Sequence, residues 1–169
     1  MTSRAMSADR RELAARVGVG VFLASWAMVF AALLFSHLLL DSQRVAQAPA
    51  LPVGLAAASS AVLVLSTLVA RAPGHRWPAF AAASSGLVFV GLQVVLWSEL
   101  WARGLWPQDS QLASSLYALT GFHAVHVVIG IGGLLWTGTF RPRALRWWRM
   151  YWDFVLVAWL AIFAVGFLS

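Results

Sequence analysis

Five long apolar runs, separated by short polar or turn-rich pieces, set the outline of this chain. They cover about residues 17–40, 52–70, 79–100, 112–138 and 150–168, and a transmembrane helix needs roughly 20 apolar residues. The second run is the shortest, and Pro49 and Pro52 in front of it suit a helix start. The connecting pieces, Asp41–Pro49, Arg71–Pro78, Arg103–Ser110 and Arg141–Arg149, are too short to fold alone. The pattern predicts an all-α membrane protein, one domain over 1–169 with five transmembrane helices. Ahead of the first run, residues 1–16 are polar and Arg-rich and read as an exposed arm or a short interfacial helix. That stretch resembles the charged start of a signal peptide. The apolar run behind it is far longer than the roughly 7–15 residues of a cleaved signal and lacks an obvious cleavage site, so a retained first helix is expected.

Composition agrees. Hydrophobic residues make up 61% of the chain and charged residues 11%, against roughly 25% charged in a soluble domain. Cysteine is absent, which excludes a disulfide scaffold and any thiolate metal site. The net charge of +6 raises nucleic acid as a partner, but the positions of the arginines speak for a membrane surface instead. Arg4, Arg10, Arg11 and Arg16 precede the first run; Arg71 and Arg76 join the second and third; Arg141, Arg143, Arg146 and Arg149 join the fourth and fifth. The other side holds Arg44 and Arg103, with Asp41, Glu99 and Asp109. The positive-inside bias over short loops predicts a cytoplasmic N-terminus and a periplasmic C-terminus.

The chemistry concentrates in the fourth run. Tyr117–Gly130, YALTGFHAVHVVIG, carries His123 and His126 one helical turn apart, and an intramembrane ionisable pair is a candidate functional site. A neutral, structural histidine bonded to a neighbouring helix is one reading; contact with a lipid headgroup or a partner's polar network is the other. Two ligands are too few for a stable zinc site. His126 lies about 21 Å along its run from the end that His37 approaches to about 5 Å on its own, so the two do not share a haem. His75 falls in a loop. Glu99 and Arg103 are spaced as an interfacial i,i+4 pair, Asp109 is placed to cap the fourth helix, and Arg149 and Asp153 are spaced to pair. Trp97, Trp101 and Trp106 at one boundary, and Trp147, Trp148 and Trp152 at the other, read as aromatic belts. The strings AAASSAVLVL from Ala56 and AAASSGLVFV from Ala81, with Gly130, Gly132 and Gly133, read as close-packing surfaces, or as the floor of a lipid or gas channel.

These strings also resemble subunit III of the haem-copper respiratory oxidases. The family pattern TGFHGLHVIIG is matched by Thr120, Gly121, Phe122, His123, His126, Val127 and Gly130, and the acid that opens the preceding loop by Asp109. The family's LQASEYFE is echoed by Leu92, Gln93 and Glu99, and its YWHFVDVVWL by Trp152, Phe154, Val155, Val157, Trp159 and Leu160. Some oxidases, the quinol-oxidising ones included, have a five-helix form of this subunit. The resemblance implies a noncatalytic subunit in a bacterial inner membrane that stabilises subunit I, binds lipid and bears on oxygen access. It implies haem and copper in the partner subunits (subunit I, with subunit II) and none in this chain. It makes Gln93, Glu99, Asp109, His123, His126 and Trp152 the candidate structural, lipid or subunit contacts. A subunit-III-like protein of nitric oxide reductases, a small transporter and a haem-carrying cytochrome are the rival readings.

Several of the departures from the family lose a polar residue. Its FLASEVMFFAGLF becomes FLASWAMVFAALLF, so an acid associated with carbodiimide reactivity and proton uptake is Trp26 here. Leu96 replaces the first acid of LQASEYFE, Asp153 replaces a histidine and Leu156 an aspartate. The apolar frame stays and buried polar groups go, which speaks against proton handling and places Trp26 against lipid or a partner helix.

Overall fold

The computed structural model describes residues 3–42, 51–74 and 76–168, with side chains from Arg10 onward except Arg11. Pro49 and His75 lie outside the described residues. Helix α1 spans Ser3–Ser42, α2 Val53–Ala70, α3 Arg76–Ala102, α4 Gln111–Phe140 and α5 Leu145–Phe167, the last preceded by a 3-10 turn at Pro142–Ala144. All five are long and apolar enough to cross a membrane. Helices α2, α3, α4 and α5 close a four-helix ring in which α2 also meets α5, and α1 lies outside it against α4 and α5.

The helices outrun the apolar runs that announced them. Helix α1 begins at Ser3, so residues 3–16 continue the first helix rather than form a separate arm. The stretch RAMSADRRELAARV has no Gly or Pro to interrupt a helix. Glu12 also bonds both Arg16, one turn on, and Arg146 of α5, each at 2.8 Å. At about 60 Å, α1 is twice the roughly 30 Å hydrocarbon thickness, so its first turns extend beyond it. Helix α5 likewise starts at Leu145 rather than near 150. Its added turn is Arg- and Trp-rich, and charge ends an apolar run without ending a helix.

Packing is organised by α5. Its buried stripe Tyr151, Trp152, Val155, Ala158, Trp159 and Ile162 repeats at the three- and four-residue spacing of one helix face. Trp152 is the wedge: a Cβ on Gly130 would stand 2.7 Å from its ring, and one on Gly86 2.8 Å. Gly133 makes room for Trp148 in the same way, whereas Gly132 faces open space and packs nothing. The repeated small-residue strings do bring α2 and α3 together, with Ala56, Ser59, Ser60, Leu63 and Ser66 buried on one side and Ala79, Ala82, Ala83 and Gly86 on the other.

Candidate functional site

The two histidines of α4 sit in an aromatic nest built by four helices. His123 is fully buried, its ring 5.3 Å from Trp159 of α5, 5.6 Å from Phe89 of α3 and 6.1 Å from Phe30 of α1. His126 turns toward α1, with Trp26 edge-on at 4.5 Å, Phe122 at 4.7 Å and Phe30 at 5.2 Å. Phe30 thus touches both rings. The sequence expectation of hydrogen bonds to a neighbouring helix is not met. His126 Nδ1 donates to the Phe122 carbonyl one turn back at 2.8 Å, and its Nε2 and both nitrogens of His123 find no partner among the described residues. Among those residues no three of His, Asp and Glu converge. Edge-on ring contacts, with one tilted pair between His123 and Trp159, are what the nest supplies, and aromatic pairs of such geometry are worth about 0.5–1.5 kcal/mol each.

A consequence can be measured. His123 keeps two polar atoms buried without partners among the described residues, so His123→Phe should stabilise the isolated chain by up to about 1–3 kcal/mol of relieved desolvation, read as an unchanged or higher thermal midpoint. A large drop would mean that the ring is engaged by a bond absent from this arrangement.

The other singled-out residues scatter. Gln93 is 1% exposed and lines a groove between α3 and α4. Glu99 and Arg103 do pair, at 3.5 Å and half exposed. Asp109 does not cap α4: its Oδ2 accepts the Trp106 backbone N–H at 2.9 Å, closing the loop. Ser110, with extended backbone, is the cap and accepts from the Ala113 N–H at 3.0 Å. Asp153 pairs with Arg71 of the α2–α3 connection at 2.9 Å, not with Arg149, which instead donates to the carbonyls of Ala72 and Gly74 at 3.3 and 2.7 Å.

The tryptophans divide. Trp101 and Trp106 are exposed and stacked at 5.8 Å, as a belt requires. Trp152 is wholly buried, and its indole N–H donates to Ser66 Oγ of α2 at 3.1 Å. The Ser66 hydroxyl donates in turn to the Ala82 carbonyl of α3 at 2.9 Å, so one hydroxyl joins three helices. Trp159 donates to Ser60 Oγ at 2.9 Å, and Tyr151 to the His126 carbonyl at 3.1 Å. Trp97 donates to Thr120 Oγ1 at 3.1 Å between α3 and α4, and His37, buried, meets Ser115 Oγ at 2.7 Å between α1 and α4. Sequence reading took the serines as small packing residues only. No sequence signal marked that second role, since Trp152 and Trp159 are seven apart and Ser60 and Ser66 six, and neither spacing tells which faces of α5 and α2 meet.

The positions at which the resembling family carries acids are apolar contacts here. Trp26 lies half-buried over His126 and Phe122, and Leu96 is fully buried among Ala56, Leu100, Leu116 and Phe167. Leu156 packs on the main core.

No protein-family model matches the chain. Individual relatives do. A cytochrome c oxidase subunit 3 from Thermostichus vulcanus is 27% identical over 173 positions, covering 88% of this chain and 84% of the relative. One from Synechocystis is 28% identical over 179 positions, covering 89% and 74%. A probable quinol oxidase subunit 3 from Staphylococcus haemolyticus is 29% identical over 92 positions, which cover 49% of this chain and 46% of the relative. The chain spans less than half the length of the quinol oxidase relatives it matches. It is a multi-pass membrane protein, similar along nearly its whole length to subunit 3 of cytochrome c oxidases.

Proposed function

We propose, from that kinship, that the chain is the noncatalytic subunit III of a haem-copper terminal oxidase in a bacterial inner membrane. It holds the haem-bearing subunit I in place and keeps lipid around it, while haem, copper and the reduction of oxygen by cytochrome c or quinol belong to its partners. The observation that carries the reading is where the motif residues fall. Thr120, His123, His126, Val127, Gly130, Trp152, Val155 and Trp159 are buried, while Val157 and Leu160 are exposed, so most of the motif sequence on α4 and α5 forms the packing frame of the bundle and the rest faces outward. A transporter built on broken helices fits poorly, because all five helices run uninterrupted. With Trp26 closing its own site by aromatic contact, the chain takes no part in proton delivery at that position. Purification in mild detergent should bring down a haem-bearing subunit of the oxidase type; a nitric oxide reductase core in its place would overturn the assignment.

The arginine-rich end of the bundle faces the cytoplasm in this reading. There Glu12 bridges Arg16 and Arg146, Arg146 lies 4.4 Å over the Trp147 ring, and Arg71 pairs with Asp153, a polar layer suited to an anionic leaflet. A periplasm-dependent reporter fused after Ser169 should be active, and activity from a cytoplasm-dependent reporter alone would reverse the topology.

A further inference from the structure

We infer that the cleft between α1 and α5 at the arginine-rich end of the bundle holds an anionic phospholipid, with an acyl chain against Gly18 and Phe22 and the phosphate against Arg16 and Arg146. The inference rests on the reading of the chain as an oxidase subunit that keeps lipid, and adds to it the place and the headgroup charge.

The cleft has a volume of about 450 Å³, with walls that include Gly18, Val19 and Phe22 of α1 and Trp147, Trp148 and Tyr151 of α5. It is apolar: the Tyr151 hydroxyl is already committed to the His126 carbonyl, and a Cβ on Gly18 would meet nothing within 4 Å. Depth decides against a transmembrane helix as the occupant. The lining on α1 runs from Ala15 to Leu23, about 12 Å, which is less than half of the roughly 30 Å that a spanning segment crosses. Beyond it α1 closes on the ring of helices, with Phe30 5.9 Å from Phe154 of α5 and 5.2 Å from Phe122 of α4. A spanning helix would be seated over a fraction of its length and lie over a shut seam for the rest. An acyl chain of one leaflet matches a cleft that opens at one boundary and ends before the midplane. The mouth decides the headgroup. Ala15 and Trp147 at that end stand next in the chain to Arg16 and Arg146, whose side chains are 65% and 52% exposed. Each gives one bond to Glu12, so two guanidiniums share one carboxylate, and a guanidinium carries five N–H donors. Arg10 and Arg143, both exposed, add charge further out on the same side. A phosphodiester supplies the balancing charge and the acceptor oxygens, whereas a zwitterionic headgroup brings its own cation among the arginines.

The test uses the full complex in phosphatidylethanolamine nanodiscs doped with a lipid that carries a photoreactive group on its acyl chain, under either a phosphatidylglycerol or a phosphatidylcholine headgroup. Labelled residues are located by mass spectrometry. Phosphatidylglycerol should label the cleft segments, Ala15–Leu23 and Trp147–Tyr151, at least about 5-fold above phosphatidylcholine, the worth of one arginine at an anionic headgroup. At the exposed Met28 and Leu65 the two lipids should label alike. Arg146→Gln should lower cleft labelling by phosphatidylglycerol about 5-fold. Gly18→Leu fills the cleft without touching the arginines and should remove labelling by both lipids there, with the subunit retained in its complex. Equal labelling of the cleft by the two headgroups, or labelling that neither variant lowers, would overturn the inference. A photo-crosslinking residue at Phe22 in native membranes reads the rival occupant. Capture there of a helix from an oxidase subunit would refute the lipid and leave the functional reading intact. Selective labelling by phosphatidylglycerol in a complex built on a nitric oxide reductase core would uphold the cleft and refute the functional reading.

Discussion

Trp152→Ala is expected to destabilise the bundle by about 3–5 kcal/mol, the range for truncating a buried aromatic side chain. The reason is the company the ring keeps. It is fully buried, it fills the space left by Gly86 and Gly130, and its N–H holds Ser66 of α2. Two glycines have no side chain with which to fill the hole, so the surroundings collapse poorly and the cavity cost stays near its upper range. Trp152→Phe separates packing from bonding: it keeps most of the ring volume and loses the indole donor, for about 1 kcal/mol. Unfolding of the purified chain in mixed detergent micelles reads both. A loss for Trp152→Ala no larger than that for Trp152→Phe would mean that Trp152 is not the wedge between α3, α4 and α5.

The same residue shows what was legible in the sequence and what was not. Apolar run length gave the five helices because a bilayer imposes a minimum span and every backbone group must be satisfied within the helix. The ends were misjudged where charge and helix propensity part company, as at residues 3–16 and at Leu145. The matched motif on α4 falls largely in the buried interior, with Thr120, His123, His126, Val127 and Gly130 buried, whereas its sequence was also read for contacts to lipid or a partner. Proximity along the chain misled the polar pairings: Arg149 and Asp153 are one turn apart, yet each bonds to the connection after α2. A sequence gives separations along one helix but not the facing of two. Trp152 was grouped with a belt because its position near a boundary is readable, whereas its rotation toward Gly86 and Gly130 follows only once α3, α4 and α5 are assembled. The internal bonds of Trp159 to Ser60 and Tyr151 to the His126 carbonyl were hidden for the same reason.

Trp26→Glu, which restores the acid of the resembling family, is expected to cost about 2–3 kcal/mol and to lower retention of the subunit in its complex, since a carboxyl at membrane depth is expensive. Trp26→Phe should cost under about 1.5 kcal/mol, because an aromatic ring remains against Phe122 and His126. The geometry adds a term that sequence alone did not contain. The Trp26 ring is edge-on to His126 at 4.5 Å, and His126 Nε2 has no partner among the described residues. A carboxyl introduced at position 26 therefore arrives beside an open imidazole nitrogen, and a proton shared between them offsets part of its desolvation. Combining Trp26→Glu with His126→Phe should thus lose more than the sum of the two single changes, with a coupling of about 0.5–3 kcal/mol for groups in contact. Additive losses would mean that the introduced carboxyl turns away to lipid or solvent. Normal assembly of Trp26→Glu with faster proton uptake by the oxidase would show that the site kept a polar environment beneath the tryptophan, and the claim that proton handling was given up at this position would fail.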